Sequence, residues 1–171
     1  MNTVALLIGG NQGDRRRLIA QATELIRQCI GSVAAASRIY ETAPWGAFGE
    51  QKPPMFLNQA LLVETELSAH EVLEEALLIE AVLGRMHTPP PTSHFPLSTR
   101  TYSSRPMDID LIFFNDEVVD LPDLQIPHPR AHLRRFVLEP LAEIMPDYRH
   151  PQLGLTVAEL LDRCENNPFS I

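Results

Sequence analysis

Asp108 and Asp110 stand two residues apart in the run Arg105-Pro106-Met107-Asp108-Ile109-Asp110-Leu111-Ile112, which continues through Phe113 and Phe114 to a turn signal at Asn115-Asp116. Apolar residues ending in that turn predict a strand. Side chains alternate along a strand, so the two aspartates share one face, with Cα atoms about 6.5–7 Å apart. Paired carboxylates on an apolar strand repel each other and are costly to desolvate. A hard cation such as Mg²⁺ removes both penalties, and Arg105 just upstream suits a phosphate oxygen. The competing reading is a solvated face. The expected next members of that face, Ile112 and Phe114, are apolar and weigh against it.

Other residues carry chemistry less specifically. Glu80 falls between Ala76 and Leu73 on the apolar side of a predicted helix, where a charge has to be paired, at the rim of the core, or facing a polar pocket. Arg85 follows in the same region. Phe56 and Asn58 share a strand face, and a ring beside a carboxamide can stack on a flat heterocycle and read its edge. A core phenylalanine beside a rim asparagine is the plainer alternative. Trp45 is a second aromatic in a Pro/Gly loop. His128 lies between two prolines, where it can meet a phosphate or simply cap the next helix. Arg130, Arg134 and Arg135 are expected on the helical turn that follows, and the like charges of Arg130 and Arg134 at i, i+4 are unfavourable unless an anion lies between them. Gly9-Gly10-Asn11-Gln12-Gly13-Asp14 is a glycine-rich strand–helix junction without the P-loop pattern, a weak phosphate signal.

These residues need elements to hold them. Val4–Ile8 reads as a buried strand breaking at Gly9-Gly10. Asp14 caps a helix to about Ile30, with Leu18, Ala22, Leu25, Ile26 and Cys29 on one face. Val33–Thr42 and Phe56–Leu67 read as strands, separated by a Gly/Pro-rich loop. Ser68 and Glu71 form a capping box opening a helix to Leu83 or Gly84. A proline-rich segment from Met86 to Ser104 leads into the Asp-x-Asp strand; so long a loop is functional or disordered. Val118-Val119 follows the turn. A helix carrying Leu133, Phe136 and Val137 comes next, then a short one opened by the capping box of Thr156 and Glu159. The order βαββαβ, followed by a C-terminal helical appendage, is the α+β ferredoxin-like pattern: an antiparallel sheet backed by helices. A doubly wound parallel sheet is disfavoured because the second and third strands have no helix between them.

The 171 residues fit one domain, 1–171. Net charge −8 and a pI near 5.2 argue against nucleic acid or an anionic membrane as partner. Cys29 and Cys164 read as buried free thiols, which suits a cytoplasmic protein, and there is no C-x-x-C pair. The N-terminal apolar run lacks a basic start and is too short for a signal or a membrane span.

Together the motifs resemble the 6-hydroxymethyl-7,8-dihydropterin pyrophosphokinase family. The collinear landmarks are the Gly9–Asp14 opening, Ser37-Arg38-Ile39-Tyr40-Glu41-Thr42-Ala43-Pro44, Phe56-Leu57-Asn58-Gln59-Ala60, Glu80 through Arg85, Arg105–Leu111, Ile126–Arg130 and Arg134–Leu141. The resemblance implies transfer of diphosphate from ATP to the pterin hydroxymethyl group, with release of AMP, by a ferredoxin-like monomer. It implies that Asp108 and Asp110 hold two Mg²⁺ ions, and that Glu80, Arg85, Arg105, His128 and Arg134 meet ATP. Asn58 would bind the pterin edge, Phe56 and Phe136 its two ring faces, and the backbone near Thr42 and Trp45 the rest of the pocket. Two departures stand out. Gly10 replaces the usual serine, and Thr101-Tyr102-Ser103-Ser104-Arg105 replaces the family's Arg-Trp-Gly-Pro-Arg run in a longer mobile catalytic loop, about 86–104. Tyr102 falls where the tryptophan would be, over the pterin, and Arg100 is the loop arginine left to assist catalysis. The rivals are a metal-dependent phosphohydrolase using the same Asp pair, and a ferredoxin-like regulatory module that binds a small molecule without metal.

Overall fold

The computed structural model describes residues 1–42, 55–85 and 106–165. Its elements are β1 (Asn2–Gly10), α1 (Arg15–Cys29), β2 (Ser32–Ala36), β3 (Tyr40–Thr42), β4 (Phe56–Thr65), α2 (Ala69–Arg85), β5 (Asp108–Phe114), β6 (Val119–Leu121), β7 (Leu124–Ile126), α3 (Arg135–Ile144) and α4 (Val157–Glu165). The main sheet runs β2-β4-β1-β5 with every pairing antiparallel, and β3 also pairs with β4.

β1 is the central strand, and its continuous apolar run reflects cover on both faces. Val4, Leu6 and Ile8 point into a core closed by α1 and α2, through Leu18, Ile19, Ala22, Ile26, Val72, Ala76, Ile79 and Leu83. Ala5 and Leu7 point into a second core closed by α3 and α4, through Val137, Leu138, Leu141, Val157 and Leu160. The C-terminal helices therefore form a full layer on the opposite face. Leu138 and Leu141 are wholly buried there, and truncating either to alanine costs about 2–5 kcal/mol.

Helix starts follow their sequence signals. Asp14 accepts from Arg17 N–H at 3.3 Å. Ser68 N–H donates to Glu71 at 2.7 Å while Glu71 N–H donates to Ser68 Oγ at 3.3 Å. Thr156 and Glu159 repeat that box at 2.9 and 3.2 Å. Each satisfies N–H groups that a first helical turn leaves open.

Five expectations need correction. The Val33–Thr42 strand is two strands, because the ladder changes at Ser37. Its N–H still donates to the Ala60 carbonyl at 2.9 Å, but its Oγ accepts from Ala60 N–H at 3.0 Å in place of its carbonyl, which accepts from the Gln59 side chain at 2.6 Å. β1 runs through Gly9 and Gly10 instead of ending before them. The helix expected to carry Leu133 is a short 3-10 turn, Ala131–Leu133, separated from α3 by an extended Arg134; Leu133 itself is exposed. Cys29 lies on the flank of the α1 stripe and is exposed, whereas Cys164 is buried. Finally, the β1–β5 register shifts between Ala5 and Leu6, leaving Ile112 as an extra residue. That bulge flips the alternation: Ile112 and Phe113 face the α3/α4 core, and Phe114 turns to the other side.

Candidate active site

Register brings the predicted residues into rows across the sheet. Asp108 pairs with Gly9, Gly9 with Asn58, and Asn58 with Tyr40, so one row crosses β5, β1, β4 and β3. Asp110, Leu7 and Ala60 form the next row. Paired residues point the same way, so Asp108, Asp110, Asn58 and Phe56 all lie on the face that carries α3. Two strand spacings put the Cα atoms of Asp108 and Asn58 about 9–10 Å apart.

The residue between them has no side chain, and that absence shapes the site. A Cβ on Gly9 would stand 2.2 Å from the Leu57 carbonyl oxygen and 2.5 Å from Asn58 Oδ1. The Asn58 carboxamide thus lies in the gap over Gly9, toward the aspartate strand. Its Nδ2 donates to Thr42 Oγ1 at 2.9 Å, and the residue is buried. Thr42 pairs with half-buried Phe56 one row further out.

Asp108 and Asp110 are both half-buried. Between them, Ile109 N–H donates to Glu80 Oε1 at 2.7 Å. β5 ends the sheet, so this carboxylate from α2 satisfies an edge donor and pins the strand between its two aspartates. Glu80 thereby meets the requirement that a charge on an apolar helical face be paired. Among the described residues no third His, Cys, Asp or Glu joins the pair in a metal-holding group. Two carboxylates without a full protein cage suit Mg²⁺, which keeps waters and takes phosphate oxygens as further ligands.

The β5 bulge positions His128. The carbonyl of Ile112 accepts from His128 N–H at 3.0 Å, which lays the Pro127–Pro129 segment along the strand. His128 Nδ1 in turn accepts from Arg130 N–H at 3.3 Å, which leaves Nε2 to carry the proton of the neutral ring. The three arginines do not share one helical turn: Arg130 precedes the 3-10 turn, Arg134 caps α3 in extended conformation, and Arg135 pairs with Glu139 at 3.5 Å. The Arg134 guanidinium lies 5.6 Å from the centroid of Phe136, a cation–π contact at the start of α3. Arg85 is the last residue of α2. Trp45, Arg100, Tyr102, Arg105 and the 86–104 loop lie outside the described residues.

Sequence reading missed two contributors. Gly9 matters only through its register against Asn58, although its place at a strand end was visible. Glu143, near the end of α3, accepts from the Tyr40 hydroxyl at 2.7 Å and has no local sequence signal. Burial, with the Glu143 carboxylate adding to it, pushes the Tyr40 hydroxyl above its ordinary pKa and keeps it a donor.

Known proteins resemble this chain in sequence and in fold. The family model described as 7,8-dihydro-6-hydroxymethylpterin-pyrophosphokinase matches residues 5–146. A 2-amino-4-hydroxy-6-hydroxymethyldihydropteridine pyrophosphokinase from Porphyromonas gingivalis is 34% identical over 153 residues, covering 89% of this chain and 96% of that one. The Bacillus subtilis protein of the same name is 38% identical over 148 residues, covering 84% of this chain and 79% of its own. Among solved structures, a Plasmodium falciparum HPPK-DHPS chain superposes with a TM-score of 0.73 at 16% identity, covering 99% of this chain. This chain spans only 45% of that one, and the likeness is one of fold.

Proposed function

The chain belongs to the 7,8-dihydro-6-hydroxymethylpterin-pyrophosphokinase family, and we propose from that premise which of its residues performs each part of the reaction. It is an ATP-dependent diphosphokinase of folate biosynthesis: it transfers diphosphate from ATP to the hydroxymethyl group of 6-hydroxymethyl-7,8-dihydropterin, giving the pterin diphosphate and AMP. The substrate hydroxyl oxygen attacks the β-phosphorus, the bond from that phosphorus to the α,β-bridging oxygen breaks so that AMP leaves with that oxygen, and the hydroxyl proton passes to solvent.

The row Asp108–Gly9–Asn58 carries the assignment, because one sheet face presents a carboxylate pair and a carboxamide from strands two spacings apart, so that a pterin held by its edge at Asn58 can direct its hydroxymethyl group toward the pair. Asp108 and Asp110 would hold two Mg²⁺ ions, with ATP phosphates completing their shells. When bound, Mg²⁺ neutralises phosphate oxygens and aligns the in-line displacement. Glu80 holds the strand beneath the pair. Asn58, oriented by Thr42, reads the edge of the pterin, and Phe56 and Phe136 take its two faces. Arg85, Arg105, His128 and Arg134 bind the nucleotide, with Arg100 assisting transfer. Trp45 and Tyr102 complete the pterin pocket. The reaction needs no protein nucleophile: the work is positioning and charge neutralisation.

The strand order, with α1 and α2 crossing one face, supports a ferredoxin-like assignment, with α3 and α4 added on the other face. We assign one domain, 1–171, working as a monomer. No helix among the described residues is long and apolar enough to cross a membrane. An exposed free thiol at Cys29 favours a reducing compartment, and we assign the cytoplasm.

Substitution of the pair tests these roles. Asp108→Asn and Asp110→Asn each abolish Mg²⁺-dependent AMP release while the pterin still binds. Wild-type rates in either variant would remove the metal assignment.

A further inference from the structure

The pterin pocket assigned above has two walls: β3 and β4, bearing Thr42, Phe56 and Asn58, and α3, bearing Phe136. Sheet hydrogen bonds join β3 to β4, but none can reach a helix lying across the face. Glu143 makes that connection. Its carboxylate accepts from the Tyr40 hydroxyl at 2.7 Å and from Arg38 N–H at 3.2 and 3.3 Å. Arg38 Nε stands 3.8 Å away, and the guanidinium lies 5.0 Å from the Tyr40 ring centroid.

Two geometric relations give this contact a consequence. Tyr40 is the direct register partner of Asn58, so its ring rises from the same row and face as the carboxamide. Glu143 lies seven residues beyond Phe136 on α3, almost two turns, which puts both on the same side of the helix. The link from the pterin edge to its stacking ring therefore runs through Asn58, Tyr40, Glu143 and Phe136. The Arg38 ion pair is well exposed and contributes little. The short hydroxyl bond and the paired backbone N–H are charge-assisted and directional, which is what fixing a spacing requires.

We propose that Glu143 is a positioning residue for the pterin: by tying α3 to Tyr40 and the Arg38 backbone, it sets the gap between Phe136 and Asn58 into which the heterocycle fits. The residues assigned to ATP and metal do not include it. The inference rests on the pterin-pocket reading and adds to it a residue acting from outside the pocket.

The test uses the full chain with Glu143→Ala, Glu143→Gln and Tyr40→Phe. It reads the pterin KM and kcat, and the Kd of a non-hydrolysable ATP analogue. Glu143→Ala raises the pterin KM about tenfold, equivalent to about 1.4 kcal/mol, and leaves the ATP-analogue Kd within about twofold. Glu143→Gln keeps an acceptor and recovers most of that loss. Tyr40→Phe raises the pterin KM about threefold and adds nothing further on top of Glu143→Ala, as expected for two ends of one contact. A pterin KM within about twofold of wild type in Glu143→Ala overturns the proposal, and so does a parallel loss of ATP-analogue affinity, the mark of general damage. If Glu143→Ala does not fold, Tyr40→Phe decides alone, and an unchanged pterin KM overturns the idea. Wild-type protein that makes no pterin diphosphate refutes the assigned reaction instead, so the two failures are distinguishable.

Discussion

Replacing Gly9 with alanine adds one methyl group to the centre of the proposed site, and its cost can be worked from the geometry. The new Cβ would sit 2.2 Å from the Leu57 carbonyl oxygen, 2.5 Å from Asn58 Oδ1 and 3.2 Å from Asn58 Cα, against ordinary contacts of 3.4–4 Å. The carboxamide can swing aside only by leaving Thr42; the carbonyl belongs to β4 and cannot swing at all. β1 and β4 must part by about an ångström at this row, and such overpacking costs about 1–3 kcal/mol. Losing the Asn58–Thr42 bond adds about 1 kcal/mol. A total near 3 kcal/mol lowers the Tm of a chain this size by about 6–12 °C. The functional loss goes further, because the displaced group is the one assigned to the pterin edge: kcat/KM for the pterin falls by at least about tenfold in protein still fully folded at the assay temperature. Gly84→Ala is the control. A Cβ added at Gly84 on α2 would meet nothing within 4 Å, so its Tm holds or rises slightly. Thermal melts and steady-state kinetics on both variants decide the matter. A Gly9→Ala protein with wild-type Tm and pterin kinetics would refute the proposed packing of Asn58 over Gly9.

Glu80→Ala leaves the Ile109 N–H without its charged acceptor and costs about 1.5–3 kcal/mol by urea denaturation; it also raises the Mg²⁺ concentration for half-maximal activity, whereas Glu80→Gln retains most of both. A Mg²⁺ requirement unchanged in Glu80→Ala would count against the strand-pinning role. His150 is buried, and its Nδ1 accepts from Gln152 and Leu153 N–H at 3.2 and 3.1 Å. Burial, and next the neighbouring His132, hold its pKa below the ordinary value. The unfolded chain therefore binds more protons between that depressed value and about pH 6.5, so stability is complete above this window and falls as pH drops through it. Melting curves from pH 7.5 to 5.5 should show this decline, and His150→Asn should make it shallower; an identical slope in the variant would exclude His150 as its source. Arg100→Ala slows single-turnover transfer more than it weakens ATP binding, and equal single-turnover rates would dismiss a catalytic part for that residue.

Much of the scaffold is readable in the sequence because local signals coincide with tertiary ones. Both Ser/Thr–Glu capping boxes start helices where the spacing predicts, and the doubly apolar run at Val4–Ile8 is the central strand. The shared face of Asp108 and Asp110 follows from the two-residue period alone. What escapes depends on partners far away in sequence. Ser37 breaks one strand into two by bonding Ala60 across the sheet, and the bulge at Ile112 exists only relative to β1, so simple alternation puts Phe114 on the wrong face. The hairpin of β6 and β7 has its turn residues in view at Pro122-Asp123, but its strands are three residues each, too short to show alternation. The extended Arg134 separates two helical pieces that read as one. In the site, side-chain types indicate metal, phosphate and heterocycle chemistry. Their mutual placement requires the register that brings Asp108, Gly9, Asn58 and Tyr40 into line.

The central claim is tested most directly by the products. Protein incubated with ATP, Mg²⁺ and 6-hydroxymethyl-7,8-dihydropterin should yield AMP and the pterin diphosphate in equal amounts by mass spectrometry, with neither formed by Asp110→Asn. ADP or free phosphate released without pterin, or the same products from Asp110→Asn, would contradict it.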